Sequence, residues 1–266
     1  MEGFEAIESL GDAALLVGLS STRIAVAFLL LPVFAPETVP ALVRSAIFLA
    51  LGLLTLALQP TVPVATFAAA HWIGLFLKEA MLGLALGFGV GAFLWAFEAA
   101  GQIVDTKLSV ANAQLIDPMS GQQVSISGAL LGRLAGFLFM FGGGMLLFVG
   151  TLIESFRAWP LARLSLVPRS GAVVAFEHHL ADLMTLAFLI AAPALVVMFA
   201  LDLALGLINR YAPQLNLLAI STSLKGLAAT AIWMLLLATL VQTFSDELAR
   251  RIAAVLPMMT RLFGTG

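Results

Sequence analysis

The sequence predicts an all-α, polytopic membrane-type fold of helical hairpins with about six long apolar helices. Three observations predict it. Apolar residues make up 61 % of the 266 positions and charged residues only 11 %, against roughly 45–50 % and about 25 % in ordinary globular chains. A water-soluble globule could not cover its surface with so few charges. Six apolar stretches recur, at residues 13–35, 42–58, 73–97, 128–152, 181–208 and 217–241, close to the ~20 residues that a spanning helix needs. None alternates with period two, and backbone groups in hydrocarbon must bond within their own element, so helices are favoured over a barrel. The formal net charge of −2 leaves no basic field for nucleic acid. Zero cysteines exclude disulfides, thiol catalysis and cysteine metal sites.

The elements follow in order along what reads as a single membrane domain, residues 1–266. The first stretch is preceded by Glu2, Glu5, Glu8 and Asp12 with no basic residue, the wrong charge for a cleaved signal, so it is expected to be retained. Pro32, Pro36 and Pro40 make a tight bend into the second. Residues 62–70 are too short to span, and Pro60 and Pro63 mark them as a helix extension or a re-entrant piece. Between the third and fourth stretches lies the longest connection, residues 98–127, and loops of that length inside a compact domain are functional or disordered. Gly142, Gly143 and Gly144 interrupt the fourth stretch and predict a kink or break. Residues 209–216 form a short polar turn around Pro213, joining the last two stretches. Arg157, Arg163, Arg169, Arg250, Arg251 and Arg261 fall on one side of such a membrane, and Arg44, Lys107 and Arg210 on the other. That bias predicts both termini in the cytoplasm and the 98–127 loop on the far side.

Eight charges lie inside the apolar stretches: Arg23, Arg44, Lys78, Glu79, Arg133, Asp182, Asp202 and Lys225. A charge at mid-membrane costs ~2.5–3.5 kcal/mol even on the lenient insertion scale. Arg44 and Asp182 sit at stretch ends and can snorkel. The other six need partners or water, either as structural pairs or along an ion or proton path. Asp202 and Lys225 are equidistant from the Pro213 turn, which predicts a buried ion pair fixing the register of that hairpin.

Two glycine stripes flank the long connection. Gly83, Gly87 and Gly91 are spaced by four, and so are Gly128, Gly132 and Gly136; small residues at this spacing let helix backbones approach closely where lipid gives no hydrophobic drive. Folding the chain about position 109.5 sets Gly83 against Gly136, Gly87 against Gly132 and Gly91 against Gly128. The tip between them, residues 109–127, is small, polar and charged only at Asp117. It lacks the high net charge of a disordered tail, and Asp117-Pro118 and Ser120-Gly121 supply turns. Held between close-packed helices it could close a pore; it could also be a solvent-exposed surface loop.

No GxxxxGK(S/T), GxGxxG or HExxH occurs. In Glu177-His178-His179 with Asp182, only His178 and Asp182 share a helix face, which favours interfacial polar residues over a metal site. The serines near Arg133 and in the long connection have no histidine placed to activate them. No enzyme is expected, and no cofactor.

The motifs themselves carry a likeness. Gly101-Gln102-Ile103-Val104-Asp105, then Asp117-Pro118 and Gly121, Gly142-Gly143, Trp159-Pro160, and Ala212-Pro213-Gln214-Leu215-Asn216 followed by Lys225 occur in that order. Together they resemble the export-gate membrane protein of bacterial type III secretion systems, the SctT/FliR family, over nearly the whole chain. The stretch ESFRAWP at residues 154–160 is nearer the injectisome branch than the flagellar one. The resemblance implies one copy assembled with two other small hydrophobic proteins, SctR/FliP-like and SctS/FliQ-like, into a helical, funnel-shaped gate raised largely out of the bilayer. It implies a neighbouring SctU/FlhB-like switch protein, a cytoplasmic export platform and unfolded protein substrates in transit. Its implied location is the bacterial inner membrane, within the secretion-system basal body. It also implies that residues 105–123 plug the closed pore, with Asp105, Ser109, Asn112, Gln114, Asp117, Pro118, Gly121, Gln122 and Gln123 in the plug, and that Pro213, Gln214 and Asn216 form the family turn. The rivals are a small-solute secondary transporter, whose broken helices would recur at matching places in inverted repeats, and an intramembrane hydrolase, which would need a paired nucleophile and base.

Overall fold

A computed structural model describes residues 2–59, 69–108, 125–164, 171–211 and 217–263. The regular elements among them are helices: α1 (Glu2–Leu29), a 3₁₀ turn (Pro32–Phe34), α2 (Ala41–Ala57), α3 (Ala69–Leu108), α4 (Ile126–Phe141), α5 (Gly144–Ala158), α6 (Ala172–Tyr211) and α7 (Leu217–Leu262). The six apolar stretches become seven helices because the fourth divides at its glycines. Gly143 takes a left-handed φ of 81°, a conformation that side-chain-bearing residues rarely adopt, so α4 stops at Phe141 and α5 starts afresh at Gly144.

Hydropathy underestimated three helices by the widest margins, and also placed the first at 13–35 where α1 runs Glu2–Leu29. α3 and α6 run 40 residues each and α7 runs 46, because good helix formers such as Glu98, Gln102, Glu247 and Arg250 continue the helices past their apolar limits. The long connection is correspondingly shorter than 98–127: residues 98–108 are the end of α3, and Ile126 already belongs to α4. At 1.5 Å per residue α3 and α6 measure about 60 Å and α7 about 69 Å, twice the ~30 Å of a bilayer's hydrocarbon. Pro193 and Pro257 lie within α6 and α7.

The chain forms two compact units, each discontinuous in sequence. One holds residues 1–92, 143–179 and 249–266. Here Phe28 of α1 meets Phe34, Phe48 of α2 and Phe148 of α5 at centroid distances of 4.8, 5.7 and 5.3 Å. The Ser20 hydroxyl donates to the Gly52 carbonyl at 3.0 Å, a polar tie between α1 and α2. At the end of α7, Ile252, Val255, Met259 and Leu262 are buried, and Val255 lies against Gly89 of α3, 3.1 Å from where a Cβ would stand. The other unit holds residues 93–142 and 180–248. Its core includes a triangle of Phe93, Phe97 and Phe244 with centroids 5.0–5.5 Å apart.

Helices Gly11–Leu29, His71–Leu108, Val173–Tyr211 and Ser221–Leu262 are long and apolar enough to cross a membrane, and α4 with α5 is a broken candidate span. This is a multi-pass membrane protein. Within the chain 67 % of the α3 window is buried but only 17 % of the α7 window. α7 therefore leaves most of its apolar surface, Leu227, Met234 and Leu235 among it, uncovered by the described residues.

Candidate functional site

The ends of the connection between α3 and α4 are clasped together by Asp105. Its Oδ2 accepts from the Ser125 hydroxyl at 2.7 Å and from the Ser127 amide at 2.8 Å. Ser125 is the N-cap of α4 and accepts from the Gly128 amide at 2.8 Å. A carboxylate from the last turns of α3 thus satisfies an amide at the start of α4, where the helix dipole also favours negative charge. The same turn of α3 carries Gly101, and a methyl group there would overlap the backbone of Ser127 and Gly128. Backbone rests on backbone, which only glycine permits.

Of the plug residues, Asp105 is therefore placed in the clasp. Ser109, Asn112, Gln114, Asp117, Pro118, Gly121, Gln122 and Gln123 lie outside the described residues, as do Pro213, Gln214 and Asn216 of the family turn.

The glycine stripes pack closely but not against each other. A methyl group at Gly83 would overlap the Arg23 carbonyl, and one at Gly87 would stand 2.5 Å from the Ala27 carbonyl, so this stripe is the seat of α1. Gly91 is buried. Gly128 sits near Gln102 and Gly132 near Glu98, which centres the α3–α4 hairpin near residue 115 rather than 109.5; Gly136 is half-buried. The correction has a simple cause. The centre at 109.5 came from matching two equal glycine spacings, which fixes no register between helices, whereas the hairpin is centred by its helix ends, Leu108 of α3 and Ile126 of α4.

Asp202 and Lys225 come together: Lys225 Nζ contacts Asp202 Oδ1. The pair is not buried within this chain, because the Asp202 side chain is half exposed. Three of the other charges in apolar stretches, Arg23, Lys78 and Glu79, form a cluster that the sequence reading did not pair. Arg23 of α1 holds Glu79 of α3 with both arms, Nε to Oε2 at 2.6 Å and Nη2 to Oε1 at 3.0 Å. Its Nη1 donates to Ser155 Oγ at 2.9 Å and Nη2 to the Trp159 carbonyl at 2.8 Å, and its guanidinium stacks 3.9 Å above the Phe156 ring. Lys78 contacts Glu79 Oε1 at 2.7 Å and donates to the Pro160, Leu161 and Arg163 carbonyls at 2.8, 3.2 and 2.9 Å. Arg23 and Glu79 are fully buried. Planar two-armed recognition and backbone carbonyls satisfy charges that lipid could not. Sorting the charges by sign narrows the choice: with Asp202 given to Lys225, Glu79 is the one mid-stretch anion left for Arg23, Lys78 and Arg133.

The cluster thus fastens α1 and α3 to the ESFRAWP stretch that ends α5. Among the described residues no group of three or more His, Cys, Asp or Glu side chains could hold a metal ion. The geometry is that of a scaffold with a clasped hairpin.

A model of the family described as bacterial export proteins, family 1, matches residues 14–250. Yop proteins translocation protein T of Yersinia pestis is 32 % identical over 212 residues, covering 78 % of this chain and 80 % of that protein. Surface presentation of antigens protein SpaR of Salmonella typhimurium is 29 % identical over 220 residues, covering 82 % and 81 %. Flagellar biosynthetic protein FliR of Escherichia coli (strain K12) is more distant, at 26 % over 230 residues, with 85 % and 86 % covered. The chain belongs to the bacterial export proteins of family 1, the SctT/FliR family of the type III export apparatus.

Proposed function

We propose that this chain is a pore-forming subunit of the export gate in the bacterial inner membrane, where it helps to form a conduit for unfolded proteins and closes it with the connection between α3 and α4. It performs no chemistry of its own. The observation that carries this reading is the Asp105 clasp. It holds the two ends of residues 109–124 together on backbone-tight helices, as a loop that must block a channel and survive displacement requires. The composition of that connection, with Ser109, Asn112, Gln114, Gln122 and Gln123, suits such a closure, since amides and hydroxyls can bond one another and exchange those bonds for water at little net cost.

Two further observations support it. Helices about 60–69 Å long exceed a bilayer twofold, which suits a gate that rises above the membrane. The open apolar faces of α6 and α7 suit sister subunits as well as lipid, and the proposed sisters are the SctR/FliP-like and SctS/FliQ-like proteins, with an SctU/FlhB-like switch protein and the export platform beside them. The higher identity to the Yop translocation protein than to the flagellar one supports the injectisome branch.

Purification in mild detergent from cells expressing the neighbouring export proteins tests the reading. It predicts a stable multi-subunit particle with one copy of this chain. A free monomer or homodimer would favour a transporter.

A further inference from the structure

Arg133 stands at the middle of α4 with no partner among the described residues. The exposed side chains of α4 are Ile126, Leu130, Arg133, Phe137, Met140 and Phe141, which at 100° per residue fall within about 100° of the circumference. The opposite face, with Ser127, Leu131, Ala135 and Phe139, is buried. α4 therefore shows a single open stripe, apolar along its length and cationic at its centre.

Three possible coverings can be weighed. Lipid fits badly, because about 12 Å of helix separates Arg133 from either end of α4, and an arginine snorkels only from near an end. A water-filled wall fits badly too, since the flanking side chains, Leu130 and Phe137 nearest among them, are large and apolar. Among the described residues no acid pairs with Arg133. Glu79 is engaged by Arg23 and Lys78, Asp202 by Lys225, and Glu98, beside Gly132, accepts from the Gln102 amide.

We infer that the open stripe of α4 seats an apolar helix of another export-apparatus subunit, which places one carboxylate opposite Arg133. The inference rests on the export-gate reading and adds the chemistry of one interface to it. An apolar helix with a single acid matches the stripe in both pattern and sign, and a pair buried on assembly would fix the register of the two helices.

The cysteine-free chain makes the test direct. Leu130→Cys is labelled with a maleimide in the purified chain and in the assembled apparatus, and a photo-crosslinking amino acid replaces Phe137 in cells carrying the full apparatus. Labelling should slow by about tenfold or more on assembly, and the cross-link should reach an apolar helix of another export subunit that bears an Asp or Glu. Arg133→Glu should lower the yield of assembled particles by about tenfold or more, Arg133→Lys should retain most of it, and making that partner acid basic should restore the Arg133→Glu variant. Unchanged labelling, cross-links to lipid alone, a cross-linked helix without an acid, or full assembly of Arg133→Leu would each overturn the inference. If particles form with Leu130→Cys still reactive, the interface is wrong and the gate stands. If the chain never enters a particle, both fall.

Discussion

Replacing Glu79 with alanine removes the one anion that two buried cations share. Arg23 and Glu79 are fully buried and Lys78 is 3 % exposed. Without the carboxylate, Arg23 keeps Ser155 Oγ and the Trp159 carbonyl, while Lys78 keeps three carbonyls. Neither retains a counter-charge within the cluster. Breaking a buried pair by removing one partner costs about 3–5 kcal/mol, and with two cations stranded the expected cost lies at about 4–5 kcal/mol, roughly a thousandfold in the folding equilibrium. Arg23→Met should be milder, at about 3 kcal/mol, because Lys78 still neutralises Glu79. Unfolding of the detergent-purified protein by a rising mole fraction of dodecyl sulfate, followed by circular dichroism and by fluorescence of the buried Trp159, measures both. If Glu79→Ala loses less than about 1 kcal/mol, or if Arg23→Met is the more damaging variant, the cluster is not the fastening described.

The same titration tests three other contacts. Gly87→Ala drives a methyl group to 2.5 Å from the Ala27 carbonyl and should cost about 1–3 kcal/mol as α1 lifts from α3; a neutral result would mean that α1 is not seated there. Asp105→Ala leaves the Ser127 amide and the Ser125 hydroxyl without their acceptor and should cost about 1–2 kcal/mol. Asp202→Asn should cost no more than about 1 kcal/mol in the isolated chain, since that carboxylate is half exposed; a loss above about 2 kcal/mol would show the pair to be buried after all.

Much of this architecture was legible in the residues, for identifiable reasons. Apolar runs report helices whatever covers them, so the all-α fold and the break at Gly143 followed from composition and from three consecutive glycines. The contact of Asp202 with Lys225 followed from equal spacing about Pro213, since a short turn leaves an antiparallel hairpin little freedom of register. Helix length was not legible, because hydropathy stops at the first polar residues whereas backbone hydrogen bonding does not. Hydropathy thus missed the last eleven residues of α3, and matching two equal glycine spacings, which fixes no register between helices, mispaired the stripes. Burial of Asp202 is not supplied by this chain, because counting residues gives height along a helix and says nothing about which way the side chain faces. The Arg23–Glu79 pair, 56 residues apart, lay beyond any local rule, although its members were marked as charges that needed partners.

The central claim is that the connection between α3 and α4 closes a conduit. It is met most directly by deleting residues 111–122 in cells that carry the rest of the export apparatus and following ion leakage across the inner membrane. The deletion leaves the Asp105 clasp intact, so particles should still assemble, and the membrane should leak. Assembled particles with leakage no greater than that of the unaltered protein would contradict the account.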